Sequence, residues 1–458
     1  MSWLKRNTSR SKDRPDVAAE APQEPDYVWV PAATQDVKTM DGQLLPRFQS
    51  TAGDQPGADA DRIAAIRSRL RHAYTPAQPV TDPSMFAGRV SVLTSVIRAI
   101  EDQRVHCVIY GERGIGKTSM LHMLARSAKD ARYQVVYITC GARSEFDETI
   151  RAIASKISLI YHADFGPTSP EGERGDSFES TFDHEPLLVR SASDHFAKIE
   201  GTRVLVVMDE FDRITSEELR RAMAEFLKSL SDQAVRMQFV IAGVAANLTE
   251  IISNVPSIQR NIFAMQVPKM SPAELRDIVK NGERVSDIHF DEAAIEAVIR
   301  RSIGFPYLAS LISHRAAIVG IDDHREIITA DDVETATEDA VAEYRGRLSR
   351  RAQLQVEQLR KNGLMNALGV LAGAAQSAGG WFTLDDLKHT YGDAVAVDWA
   401  RSAVDQLAVN RVLLEARDGD LERAYRFIEP SVPTYLWLLA GGGRADAPAK
   451  PARKAANA

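Results

Sequence analysis

Residues 111–118 read Gly-Glu-Arg-Gly-Ile-Gly-Lys-Thr, the spacing G-x-x-x-x-G-K-T. The chemistry of that spacing is a grip on phosphate. Gly111, Gly114 and Gly116 let backbone N–H groups converge on phosphate oxygens. A helix that starts at the lysine turns its positive end toward the same oxygens. Lys117 is placed to reach the β- and γ-phosphates and Thr118 to hold Mg²⁺, with Glu112, Arg113, Ile115 and Ser119 completing the binding loop.

A second stretch, RVLVVMDEFDR at 203–213, ends an apolar run in two acids. A carboxylate at the tip of a buried strand can hold Mg²⁺, which assigns Asp209 to the metal. The adjacent Glu210 is the candidate to polarise an attacking water. Alone, such a run also describes a strand ending in a solvated loop. Together with the glycine-rich loop it describes an ATP and Mg²⁺ site. Asp212 and Arg213 read as local ion pairs rather than catalytic groups.

These groups need elements to position them. Near-continuous apolar runs at 106–110, 134–139, 203–208, 238–242 and 263–267 read as strands covered on both faces. Helical stretches alternate with them at 89–101, 117–128, 146–159, 216–233, 272–281 and 291–302. The expected fold class is α/β, a parallel sheet sandwiched by helices. The expected order is a disordered arm at 1–58 and a helix with linker at 59–84. A core at 85–268, a helical lid at 269–344 and a basic helical connector at 345–363 follow. A small domain at 364–440 and a disordered tail at 441–458 end the chain. The polar stretch 163–185 reads as a surface insertion or mobile loop.

Of 458 residues, 44% are hydrophobic and 26% charged, enough to bury a core, and the net charge is −7. This balance does not indicate DNA as a partner, although a local basic patch leaves it open. Cys107 and Cys140 fit no metal spacing and read as reduced core residues, with a single disulfide as the alternative. The N-terminal MSWLKRNTSRSKDRPD lacks the apolar segment of a secretory signal, and no stretch is long enough to span a membrane. The expected compartment is the cytoplasm.

With these motifs in order, the chain resembles the AAA+ superfamily, in the Orc1/Cdc6-like branch that grades into the STAND signalling ATPases. Phe86-Ala87-Gly88-Arg89 resembles the box ahead of the phosphate loop, and the resemblance places Gly88 and Arg89 near the adenine. QFVIAGVAANLTEII at 238–252 resembles the strand and loop of sensor 1, which implies Asn247, or else a loop-capping asparagine. Arg260 falls where the family has a finger that enters a neighbouring subunit's site, implying a homo-oligomer. An ordinary surface arginine is the other reading. Gly304-Phe305-Pro306-Tyr307 departs from the Orc1/Cdc6 pattern, because Tyr307 stands where a sensor-2 arginine is expected. Gly-x-Pro resembles the STAND proteins instead, with Pro306 against the nucleotide. His314 or Arg315 are substitutes, or plain helix-surface residues.

The order of elements in 364–440 resembles a winged helix, with helices at 364–374, 384–391 and 398–409 and a hairpin turning at Asp418-Gly419. Its third helix offers Arg401 against Asp398 and Asp405, little for a DNA groove. The resemblance implies an ATP hydrolase of low turnover, switching between ATP and ADP states to control assembly or an unknown protein partner. A DNA-binding loader or transposition helper and a signalling or phage-defence ATPase are the alternatives.

Overall fold

The computed structural model describes residues 62–76, 78–165, 168–245, 256–377, 381–391, 404, 407, 412–417 and 423–440. The expected arm and tail, Asn247, Arg401 and the turn at Asp418-Gly419 lie outside them. Among the described residues, the main sheet has five parallel strands: β1 (His106–Gly111), β2 (Gln134–Thr139), β3 (Val204–Asp209), β4 (Met237–Val244) and β5 (Ile262–Gln266). Their order is β2-β3-β4-β1-β5, each at its expected place to within a residue or two. β3 is buried along its whole length and β4 everywhere but Val244, as its run of apolar residues requires. Alternate side chains enter two separate cores. Leu205 and Val207 join one, and Val204, Val206 and Met208 the other.

Helices α1 (Arg62–Ala73), α2 (Val90–Glu101) and α3 (Lys117–Asp130) contribute to the first core. Helices α4 (Phe146–Ala154), α5 (Val189–Phe196) and α6 (Glu217–Asp232) contribute to the second. The result is a parallel sheet between helical layers, the P-loop NTPase fold. Cys107 lies in the first core and Cys140 in the second, both as free thiols, which removes the disulfide alternative. Burial pushes both thiols up to about 12.

The segment expected as a lid consists of α7 (Pro272–Ser286), α8 (Glu292–Ser302), α9 (Pro306–Asp322) and α10 (Ala330–Gly346), with a short parallel pair of β6 (His289–Phe290) and β7 (Ile327–Ile328). α7 runs past its expected end at 281, through Gly282. That glycine is required, because a Cβ there would lie 2.0 Å from Tyr74 Cζ. Tyr74, at the end of α1, is buried and donates its hydroxyl hydrogen bond to Val279 O at 2.9 Å. The N-terminal helix is therefore pinned to the lid.

The connector helix α11 (Arg350–Lys361) buries Ala352, Val356 and Leu359 and turns Arg350, Arg351, Arg360 and Lys361 outward. Beyond it are α12 (Met365–Ser377), α13 (Leu384–Tyr391), an antiparallel hairpin of β8 (Leu414–Arg417) and β9 (Ala424–Phe427), and α14 (Val432–Leu439). α14 was not anticipated and packs on both α12 and α10. The expected helix at 398–409 is described only at Val404 and Leu407, both buried.

Two expectations are corrected. The helix expected over 146–159 stops at Ala154, because the backbone bonds beyond it go elsewhere. Ile157 O accepts from Phe178 N–H and Leu159 N–H donates to Asp176 O, both at 2.9 Å. The stretch 163–185 is likewise more than a surface loop. Phe178 is fully buried and Phe182 nearly so, and burying one such ring contributes about 1.5–3 kcal/mol. The acidic residues around them face outward and hid this anchor.

Candidate functional site

The phosphate loop leaves β1 and enters α3 at Lys117. Gly114 and Gly116 have φ of 78° and 93°, left-handed conformations that side chains resist. Space forbids a side chain as well. A Cβ at Gly116 would come within 2.9 Å of Arg89 Nη1 and 3.4 Å of Pro306 Cγ. Lys117 is buried, and its Nζ donates to Gly111 O at 2.9 Å and Glu112 O at 2.8 Å. Burial lowers the ammonium to about 8, opposed by the charges of Asp212, Asp209 and Glu112.

Asp209 ends β3 and is 5% exposed. Its Oδ2 accepts from the Tyr137 hydroxyl at 3.0 Å, and its Oδ1 from Glu210 N–H at 2.8 Å. The neighbouring Tyr137 is held protonated, first by burial and then by the Asp209 charge. Glu210 has φ of 54°, a left-handed turn that swings its half-exposed carboxylate off the strand line. That carboxylate meets Arg213 Nη1 at 2.6 Å. Asp212, expected as a local ion pair, instead accepts Val244 N–H at 2.8 Å.

These residues open on one cavity of about 900 Å³. Lys117, Thr118, Asp209 and Glu210 give it polar lining beside Gly114 and Gly116, and Val80, Met270, Ile278, Val285 and Pro306 give it apolar lining that suits a flat base. Ser119 and Arg113 also line it, as does Tyr307. Thr75, Pro76, Gln78, Pro79, Val80, Thr81 and Asp82, expected in a plain linker, line this cavity. Val80 N–H donates to Ser119 Oγ at 3.0 Å. Its prolines suggested a linker, and the long-range contact left no local signal.

The structure sorts the other expected residues. Arg89 lines the cavity, yet its guanidinium donates to Ile115 O and, at 3.1 Å, to Pro268 O. Burial lowers it to about 10. Its backbone N–H donates to Glu274 Oε1 at 2.7 Å, and a Cβ on Gly88 would collide with the same carboxylate. Gly88 and Arg89 thus join loop, β5 exit and lid. Gly111 and Glu112 offer carbonyls to Lys117, and Ile115 is a core residue. Arg260 is exposed in the turn Pro256–Asn261 and is not brought into this cavity. His314 and Arg315 are not brought there either, and Arg315 pairs with Glu343.

Tyr137 was missed by sequence reading, since only the pairing of β2 with β3 sets it beside Asp209. Tyr137→Phe should raise the Mg²⁺ concentration needed for half-maximal turnover about tenfold, as loss of a ligand's outer partner does. A Mg²⁺ titration of ATPase activity checks this. An unchanged midpoint would mean that Tyr137 does not orient Asp209.

The family model of the AAA domain matches residues 100–252. That match spans the phosphate loop and strands β1 to β4 of the sheet. No curated protein matches the chain. Among solved structures, Cdc6p from Pyrobaculum aerophilum is similar at 14% identity and a TM-score of 0.44, covering 81% of this chain and 97% of that one. The RuvB Holliday junction branch migration motor of Thermotoga maritima is similar at 14% identity and 0.40, covering 79% and 96%. The Aeropyrum pernix ORC2 protein, solved as ADPNP-ADP complexes, is similar at 14% identity and 0.38, covering 82% and 98%.

Proposed function

We propose that this protein is a slow ATPase whose ATP and ADP states switch its assembly or its hold on a partner. The observation that carries the reading is one cavity shared by the phosphate loop, the Asp209-Glu210 turn and the lid turn at Pro306-Tyr307. A nucleotide seated there would touch core and lid at once, so loss of its γ-phosphate can be felt by both.

In this reading Lys117 turns from the carbonyls of Gly111 and Glu112 to the β- and γ-phosphate oxygens. Glu210 accepts the proton of a water as its oxygen bonds to the γ-phosphorus and the bond to the β-phosphate oxygen breaks. Thr118 and Asp209 supply an oxygen-only donor pair that suits Mg²⁺, which would neutralise phosphate charge there. Among the described residues no cluster of three or more His, Cys, Asp or Glu could hold an ion. A two-oxygen set completed by phosphates is how Mg²⁺ is commonly held. Slow turnover follows from the lid turn, where Tyr307 rather than a guanidinium faces the loop. In the assembly, Arg260 is our candidate to reach a neighbouring subunit's site. Asn247 is kept as the sensor-1 candidate.

Exposed cations on α11 support a second reading, a DNA-bound loader. The hairpin lends it less. Arg417 and Arg426 both stack on Trp381, at 4.3 and 4.8 Å, and Arg426 pairs with Glu415. A winged helix at 364–440 that packs against protein fits these contacts. Among the described residues no helix is long and apolar enough to cross a membrane.

Light scattering of the full chain separates the readings. With a non-hydrolysable ATP analogue the particle mass should differ from that with ADP, without DNA present. A mass that changes only when duplex is added supports the loader and overturns the switch.

A further inference from the structure

The strand β4 outruns one of its neighbours. Its last pair with β3 is Ile241 with Met208, whereas on its other edge it stays paired with β1 as far as Val244 with Gly111. A strand tip in this position has backbone groups on the β3 side that no strand carbonyl reaches. A side chain supplies the missing acceptor, since Val244 N–H donates to Asp212 Oδ1 at 2.8 Å.

Asp212 sits in the turn Phe211–Arg213, two residues after Glu210 in the chain. Phe211 is 1% exposed and anchors that turn in the core beneath the sheet. Asp212, Gly243 and Val244 all line the cavity, and the Asp212 charge acts on the Lys117 ammonium. One carboxylate therefore joins three parts: the turn that carries Glu210, the tip of β4, and the first glycine of the phosphate loop paired to that tip.

We infer that Asp212 is a positioning residue of the ATP site, holding the tip of β4 and the edge of the phosphate loop in register with Glu210 through the Val244 N–H bond. The inference rests on the reading of Glu210 as the base. The work is done by the placement of one acceptor oxygen. An amide oxygen on a side chain of the same length fills that place without the charge. A carboxylate on a longer side chain keeps the charge and misplaces the oxygen.

The test is a crossed pair of variants in the full chain, with kcat, ATP affinity and amide exchange measured on each. Asp212→Asn should keep kcat within about threefold of the parent and leave Val244 N–H protected from deuterium exchange. Asp212→Glu should lower kcat about tenfold, with ATP affinity unchanged and faster exchange at Val244. Asp212→Asn falling while Asp212→Glu is retained would assign the effect to charge and overturn the inference. Equal behaviour of the two variants would overturn it as well, and so would a loss confined to ATP affinity. Failure of the base reading is separate, because it shows as undiminished turnover in Glu210→Gln, while Val244 exchange still reports on Asp212.

Discussion

Lys117→Ala is expected to weaken ATP binding by on the order of a hundredfold while the sheet stays folded. The side chain is a buried cation lining the cavity, and its three donors suit phosphate oxygens. It donates to Gly111 O and Glu112 O. Removing the ammonium frees those two carbonyls and also removes the cost of burying a charge. Stability should therefore change little, and affinity much. Titration with a fluorescent ATP analogue reads the effect. Undiminished affinity would remove the site from this cavity.

Glu210→Gln should lower turnover by about 10²–10⁴ and leave ATP affinity near that of the parent. The amide preserves the size of the side chain and cannot take a proton. The backbone sets where the carboxylate stands, at the cavity and paired with Arg213. A φ of 54° turns it out of the strand and into the cavity, beside Asp209 yet not bonded through its own carboxylate to that residue. Such a conformation is unfavourable for a residue with a side chain and persists where the surroundings enforce it. Here Asp209 Oδ1 holds Glu210 N–H, and Phe211 is buried behind it. Single-turnover hydrolysis measures the step itself. A rate equal to the parent's would show that another group takes the proton.

What the sequence disclosed and what it hid follow from the range of each interaction. The phosphate loop was legible because its glycines, Lys117 and Thr118 are contiguous and work through local backbone. The five strands were legible because burial on both faces demands unbroken apolar runs. The partners were not legible. Tyr137 lies 72 residues from Asp209, Val244 lies 32 from Asp212, and Pro268 lies 179 from Arg89. Only the packing of parallel strands and the lid brings them together. Composition misled in two places. Prolines made the 75–82 segment look like a linker, and its described residues line the cavity. Acidic residues made 163–185 look like a loop, and Phe178 is buried in the core.

The lid turn bears most on function. Pro306 and Tyr307 begin α9 directly against the phosphate-loop glycines, with Tyr307 Cβ 3.5 Å from where a Cβ on Gly114 would lie. The tyrosine also extends toward the connector, where Arg347 Nη2 donates to its hydroxyl at 3.5 Å. Two residues on, Ser349 N–H donates to Glu429 Oε2 at 2.9 Å, beside the hairpin. The phosphate loop, Tyr307, Arg347 and the Ser349–Glu429 pair beside the hairpin are therefore linked in series.

In the proposed switch the bound nucleotide sets the assembly state and Glu210 resets it. The most direct measurement is the light-scattering mass of Glu210→Gln with ATP and with ADP. ATP should hold this variant in the state the parent adopts with a non-hydrolysable analogue, and ADP should not. One mass with both nucleotides would contradict it.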